Sequence, residues 1–232
     1  MTNALNFKAD YSDQAGLFNP AHVSTPITMI GCGGIGASVL PILLTMGFQE
    51  FVLWDGDSVE PRNVTTNLIF RPQDVYRPKV VRVKEHLAEY GGSDVTVTTH
   101  QEAYAGQEPL SGIVISGVDS MAARRSIWPH LADNTEVPLY FDGRIGGLQT
   151  TLLAFPPFGP AQIRRYETYY LGSDENVAPL QCTQRTIIYP ATTLGGFMAE
   201  YLRRWSQGNV ADVPFMTELH FGDKKPLFQT LI

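Results

Sequence analysis

The short apolar run Ile27–Ile30 is followed by Gly31-Cys32-Gly33-Gly34-Ile35-Gly36 and then by a stretch of helical character. Glycines let a backbone turn tightly and come close to a phosphate. A helix start behind them offers free N–H groups and the positive end of its dipole to the anion. Gly31, Gly33, Gly34 and Gly36 are therefore candidate phosphate contacts, with a ligand-free tight turn as the plain alternative. Asp55 ends the next short strand, about 20 residues on, where a carboxylate accepts a hydrogen bond from a ribose hydroxyl. NAD and ATP both carry that ribose, so Asp55 does not choose between them. As a loop carboxylate capping a turn it would need no ligand at all.

These residues need elements to hold them. Gly34–Gly47 reads as a helix that opens in the glycine loop and stops at glycine, with a kink or late start at Pro41. Phe51–Trp54 is a strand. Lys79–Tyr90 is an amphipathic helix, with Val80, Val83, Leu87 and Tyr90 at helical spacing. Val95–Thr99 alternates like a strand. Ile113–Ser116 is a buried strand, followed by Asp119 and a helix through Trp128, and Leu139–Asp142 is another strand. This alternation predicts a Rossmann-type α/β fold, a mainly parallel sheet with helices on both faces. After Asp142 the pattern changes. Leu148–Phe155 and Ile163–Tyr170 read as strands joined through Pro156-Pro157 and Gly159-Pro160, extending the sheet in antiparallel fashion. Thr192–Trp205 reads as a final helix. The predicted organisation is a lead-in over residues 1–26 with a turn at Asn19-Pro20, one nucleotide-binding domain over 27–205, and a loose C-terminal extension over 206–232 with one strand.

Composition narrows the function. A chain of 232 residues with net charge -6 and no basic stripe argues against nucleic-acid binding. The pairs Arg124-Arg125, Arg164-Arg165 and Arg203-Arg204 read as solvated faces. Two cysteines, Cys32 and Cys182, cannot build a disulfide framework or a four-thiolate zinc site. None of the five histidines pairs at metal-ligand spacing with another His or Cys. Met1 to Pro20 lacks a basic segment leading into an apolar core, and the apolar stretches are too short and glycine-broken to span a bilayer. The expectation is a cytoplasmic protein without membrane contact.

One region is more specific. Trp54-Asp55-Gly56-Asp57-Ser58-Val59-Glu60-Pro61-Arg62-Asn63-Val64 is followed by Arg77-Pro78-Lys79-Val80 and later by Ser116-Gly117-Val118-Asp119-Ser120 ahead of Arg124. With the glycine loop, these ordered motifs resemble the ThiF/MoeB/HesA family of ubiquitin-activating-enzyme-like adenylyltransferases, over roughly residues 27–205. The compact, single-domain members, which open with a Phe-x-Pro lead as Phe18-Asn19-Pro20 does, are the most similar. The resemblance implies ATP and Mg²⁺ as cofactors and adenylation of the C-terminal carboxylate of a small ubiquitin-like or sulfur-carrier protein. It also implies a homodimer. The implied nucleotide contacts are Gly31, Gly33, Gly34, Gly36, Asp55, Asp57, Asn63 and Lys79, with Asp119 as the metal ligand. The implied catalytic set is Lys79, Asp119, Arg71 and Cys182. The chemistry suits these residue types. When a carboxylate attacks the α-phosphorus of ATP and pyrophosphate leaves, a lysine point charge and a Mg²⁺ held by a carboxylate neutralise the phosphates. Without a ligand, Lys79 would be a solvated helix lysine and Asp119 a helix N-cap.

The sequence also departs from the pattern. Long forms carry an arginine three residues after the asparagine, where this chain has Thr66; Arg71 or Arg62 is the candidate substitute. The arginine that the family donates across a dimer has no clear counterpart before Asn19. Cys182, in Gln181-Cys182-Thr183-Gln184-Arg185, resembles a thioester-forming cysteine, and it reads equally as a buried structural thiol. Cys32 reads as packing only. Tyr166, Tyr169 and Tyr170 line a groove or pack in the core. Arg144 faces a nucleotide or peptide tail, or pairs with Asp142. Three further readings remain open. The first is an adenylating enzyme with a peptide or tRNA-linked acceptor, the second an NAD-dependent oxidoreductase, and the third a catalytically weak nucleotide-binding scaffold subunit.

Overall fold

The computed structural model describes residues 9–22, 24–172, 187–222 and 227–231. One sheet of eight strands runs through it in the order β3-β2-β1-β4-β5-β6-β7-β8. The strands are β1 Ile27–Ile30, β2 Glu50–Trp54, β3 Thr96–His100, β4 Ile113–Ser116, β5 Leu139–Gly146, β6 Gln149–Phe155, β7 Met216–His220 and β8 Leu227–Leu231. β1 to β5 pair in parallel, and β6 to β8 continue antiparallel. The mixed α/β sheet with a parallel core and antiparallel C-terminal strands is the predicted fold class.

The period-two alternation of the strands divides the core. On one face Ile27, Met29, Phe51, Leu53, Ile113, Ile115, Leu139 and Phe141 meet three helices: α1 Gly36–Met46, α2 Lys79–Gly91 and α5 Ile188–Ser206. On the other face Ile30, Trp54, Val114 and Tyr140 meet α3 Met121–Ile127, α4 Pro160–Tyr169 and the turn at Trp128. β1 and β4 are buried throughout, as central parallel strands covered on both faces must be. Among the described residues, no helix is long and apolar enough to cross a membrane.

Four sequence expectations are corrected. Ile163–Tyr170 is not a strand: residues 163–169 form most of α4, and Tyr170 is its C-cap. Pro160 stands at its first turn, where a missing N–H costs nothing, and Ile163, Tyr166 and Tyr170 fall on one helical face towards the second core. The C-terminal region carries two strands, β7 and β8, where one was expected. α1 runs from Gly36 through Pro41 without a late start and ends at Gly47, whose N–H donates to Leu44 O at 2.9 Å. Finally, Arg124 is not on a solvated face: it is 5% exposed.

Candidate active site

The C-terminal ends of β1, β2 and β4 lie side by side, and the loops that leave them converge. β1 has β2 on one flank and β4 on the other. The chain direction of the crossovers reverses here, which is where open α/β sheets form a ligand crevice. Gly31 N–H donates to Trp54 O, and Gly117 N–H to Ile30 O, both at 2.8 Å. Gly31 has φ +96°, and a Cβ there would lie 3.0 Å from the carbonyl of Gly117. A Cβ on Gly36 would lie 2.6 Å from Gly31 O. Gly31 and Gly36 thus let the loop fold onto α1 and press against the β4 loop. Around Gly33 there is open space. In the first turn of α1 the Ala37 N–H donates to Gly33 O at 2.9 Å and the Ser38 and Val39 N–H groups to Ile35 O at 3.0 and 2.9 Å, so an anion at the dipole end would be met by the amides of the loop ahead of them, Gly33 to Gly36. Gly31→Ala is expected to destabilise the fold by about 1–3 kcal/mol, read as a lower denaturant midpoint. An unchanged midpoint would show that the tight approach to Gly117 is not required.

Asp55 ties β2 to this loop. Its carboxylate accepts from Cys32 N–H at 2.7 Å and from Asp57 N–H at 2.8 Å. Burial pushes its carboxyl above the usual range, against the opposing pull of Lys79 and these two amides. Each oxygen keeps a further lone pair that a ribose hydroxyl could use. Lys79 opens α2. Its N–H donates to Asp57 O at 3.0 Å and its Nζ to Asp57 Oδ2 at 2.7 Å. The Lys79 side chain is only 11% exposed, whereas that of Asp57 is 75% exposed. The stem of Lys79 is therefore fixed while its partner can swing into solvent, so the ammonium can change partners at small cost.

Asn63 Oδ1 accepts from Glu60 N–H at 2.9 Å, which leaves its NH₂ as a donor. In the same turn the Thr66 hydroxyl donates back to Arg62 O at 3.2 Å, and Thr66 O faces Gly34. Arg62 is exposed and paired with Glu60, while Arg71 is exposed with its charge near His86 of α2. Cys32 is fully buried, and its thiol is pushed well up by burial, in keeping with packing alone. Cys182 lies outside the described residues.

Asp119 follows β4 and is exposed. It does not cap α3: Ser120 does, its Oγ accepting from Ala123 N–H at 3.2 Å. Its carboxylate is therefore not spent on that cap. Mg²⁺ is commonly held by one or two carboxylates together with substrate phosphates and water, so one placed carboxylate suits it. Among the described residues there is no cluster of three or more His, Cys, Asp or Glu.

The sequence offered the Arg144–Asp142 pair as one alternative but not the buried polar network, next to this turn, to which it belongs. Asp142 is fully buried midway along β5, in register with Ser116, the last residue of β4. Its Oδ1 accepts from Arg124 Nε at 2.8 Å, and its Oδ2 from Arg144 Nε at 3.0 Å and Tyr166 OH at 2.9 Å. Arg144 also donates to Tyr170 O at 2.8 Å, so it takes the paired role and Tyr166 the core role. Tyr169 is exposed. One carboxylate against two guanidiniums leaves net positive charge on the ligand edge. The available signal was Arg124 standing four residues after Ser120, one helical turn on. Its partner 18 residues further along is invisible to local periodicity.

Fold and site define a doubly wound α/β domain with a glycine cradle, a lysine and two acidic turns at its topological switch point. A sequence model of the ThiF family matches residues 21–225, and the chain belongs to that family. It is similar to the NEDD8-activating enzyme E1 catalytic subunit of Dictyostelium discoideum, 30% identical over 132 residues, which is 53% of this chain and 28% of that protein. It is also similar to the sulfur carrier protein ThiS adenylyltransferase of Escherichia coli, 26% identical over 110 residues, 45% of this chain and 43% of that one. The chain thus spans less than half the length of these relatives. Among solved structures, E. coli MccB superposes with TM-score 0.71 at 15% identity, covering 91% of this chain and 65% of MccB. PaaA superposes with TM-score 0.67 at 16% identity over 100% of this chain and 88% of its own. Both likenesses concern the fold.

Proposed function

We propose that this chain binds ATP with Mg²⁺ and adenylates the C-terminal carboxylate of a small ubiquitin-like or sulfur-carrier protein. The observation that carries this reading is the convergence of the Gly31–Gly36 loop, Asp55, the Asp57–Lys79 pair and the Asp119 turn at one sheet edge. It is supported by the relatives, which are activating enzymes or an adenylyltransferase, and by the likeness to MccB, whose crystal structures include complexes with ATP and with MccA.

The loop amides and the α1 dipole hold phosphate oxygens, and Asp55 orients the ribose. Lys79 leaves Asp57 to neutralise charge on the phosphates as the acceptor carboxylate attacks the α-phosphorus. The new bond is carboxylate oxygen to α-phosphorus, the broken one is the α–β phosphoanhydride, and pyrophosphate leaves with the electron pair. Mg²⁺ held at Asp119 would supply charge neutralisation on the leaving phosphates. Asn63 and Arg71 complete the phosphate contacts in this reading, and Cys182 is the candidate acceptor of the activated acyl group. The machinery lies in residues 27–205, in a cytoplasmic protein.

The direct test is ATP–pyrophosphate exchange with candidate acceptor proteins, alongside calorimetry. Metal-dependent ATP binding and acceptor-dependent exchange are expected. Tight NADH binding with no ATP binding would move the chain to the oxidoreductases. The Thr66 hydroxyl, turned back onto its own backbone where an arginine would reach outward, favours a second reading as a catalytically weak subunit. That reading predicts ATP binding without exchange. A homodimer is proposed through the sheet-flanking helices, where exposed Leu68 and Tyr90 line a groove with Pro41, Leu44 and Thr45. Light scattering should give twice the monomer mass, and a monomer at working concentration would overturn it.

A further inference from the structure

We propose that Arg124 is a positioning residue that holds the Asp119 turn in its metal-binding shape, an inference that rests on the proposed role of Asp119. Arg124 NH2 donates to Val118 O at 2.7 Å and NH1 to Ser120 O at 3.2 Å. These carbonyls stand on either side of Asp119. The same guanidinium donates through NH2 to Gly143 O at 3.0 Å and through Nε to Asp142 Oδ1. One planar fork therefore clamps the turn after β4 to the middle of β5. Its own orientation is fixed by a carboxylate that is 0% exposed and held in turn by Arg144 and Tyr166.

The physical need for such a clamp is plain. Val118 packs against the second core, but that packing does not by itself orient the exposed Asp119 carboxylate. Mg²⁺ tolerates little departure from octahedral geometry, so a wandering ligand binds it poorly. Groups that orient a metal ligand without touching the metal commonly change affinity by about 10–100-fold when removed. A lysine cannot replace this arginine. Its ammonium is a point charge, and it cannot span two carbonyls and a carboxylate in one plane.

The test uses the full chain with Arg124→Lys, which keeps a charge beside Asp142, and Arg124→Met. Hydrogen exchange of the chain without ligands should be faster at the Val118–Ser120 amides in both variants, with the amides of Ile113–Ser116 unchanged. Mn²⁺ titrated against the chain with ATP, followed by its magnetic resonance signal, should bind about 10-fold more weakly in Arg124→Lys. In an Asp119→Asn background the same substitution should add nothing further. Unchanged exchange at the turn, or a metal effect that simply adds to that of Asp119→Asn, overturns the positioning role and leaves Asp119 as ligand standing. If Asp119→Asn alone leaves Mn²⁺ binding unchanged, the metal assignment of Asp119 itself falls, and this inference with it. Should Arg124→Met not fold, Arg124→Lys still decides.

Discussion

Lys79→Ala is expected to lower ATP–pyrophosphate exchange by about 10²–10³-fold, the usual effect of removing one preorganised group that stabilises developing charge. Most of the lysine stem is buried at the start of α2, so its entropy is already largely spent. The ammonium sits 2.7 Å from a carboxylate that is itself mostly in solvent. Such a partner holds the cation in place and can release it at small cost. Two companion measurements sharpen the result. Asp57→Asn should change exchange far less than Lys79→Ala, because it removes only the resting partner. The ion pair contributes about 0–1 kcal/mol, since one member is exposed, so any larger loss of stability in Lys79→Ala comes from the buried stem, and Lys79→Met, which keeps a stem, should melt close to the parent chain. Full exchange activity in Lys79→Ala would remove the lysine from the phosphate site and with it the main support for adenylation.

The second large effect is on stability. Asp142→Ala is expected to destabilise the fold by about 3–5 kcal/mol, because it strands two guanidiniums in a buried site. Arg124 would lose its Nε partner, Arg144 both contacts to the carboxylate, and Tyr166 its acceptor. The same carboxylate sets an acid limb. Burial opposes its ionisation, but the charges and hydrogen bonds of Arg124 and Arg144 outweigh that and hold its pKa below the ordinary value. A depressed folded pKa contributes stability above the unfolded value, about 3.9. That contribution is lost as pH falls through the folded pKa. The window therefore lies below about pH 4. Denaturant titrations across it should show a steep loss in the parent chain and a shallower one in Asp142→Asn. Equal slopes would mean that the network does not hold the carboxylate ionised.

Much of this was legible in the chain itself. The glycine loop, Asp55 and Lys79 are local signals, each fixed by a strand end or a helix start a few residues away. The parallel core followed from alternating apolar runs. The misreadings share a cause. Ile163–Tyr170 is rich in residues that suit strands, and only the Gly159-Pro160 start and the spacing of Ile163, Tyr166 and Tyr170 favour α4. Arg124 looked like a solvated charge because burying it depends on Asp142, which arrives from another strand. Long-range pairing of charges leaves no local period to read. Leu227–Leu231 carries weak alternation, and its identity as β8 depends on β7 already being in place to pair with it.

The order β3-β2-β1-β4 also has a consequence for how the chain is made. β1 and β4 form the crevice, yet β2, α2 and β3 are translated between them. At a synthesis rate of about 5–20 residues per second, Gly36 leaves the peptidyl-transferase centre about 4–16 s before Ser116. By the end of that interval the nascent chain holds the glycine loop, Asp55 and Lys79 but not the Asp119 turn. The edge of β1 that β4 will occupy, Ile27–Ile30, is then unpaired and wholly apolar but for Thr28. Until β4 arrives, that open apolar edge is exposed to mispairing, and slow codons just before Ile113 would lengthen the exposure.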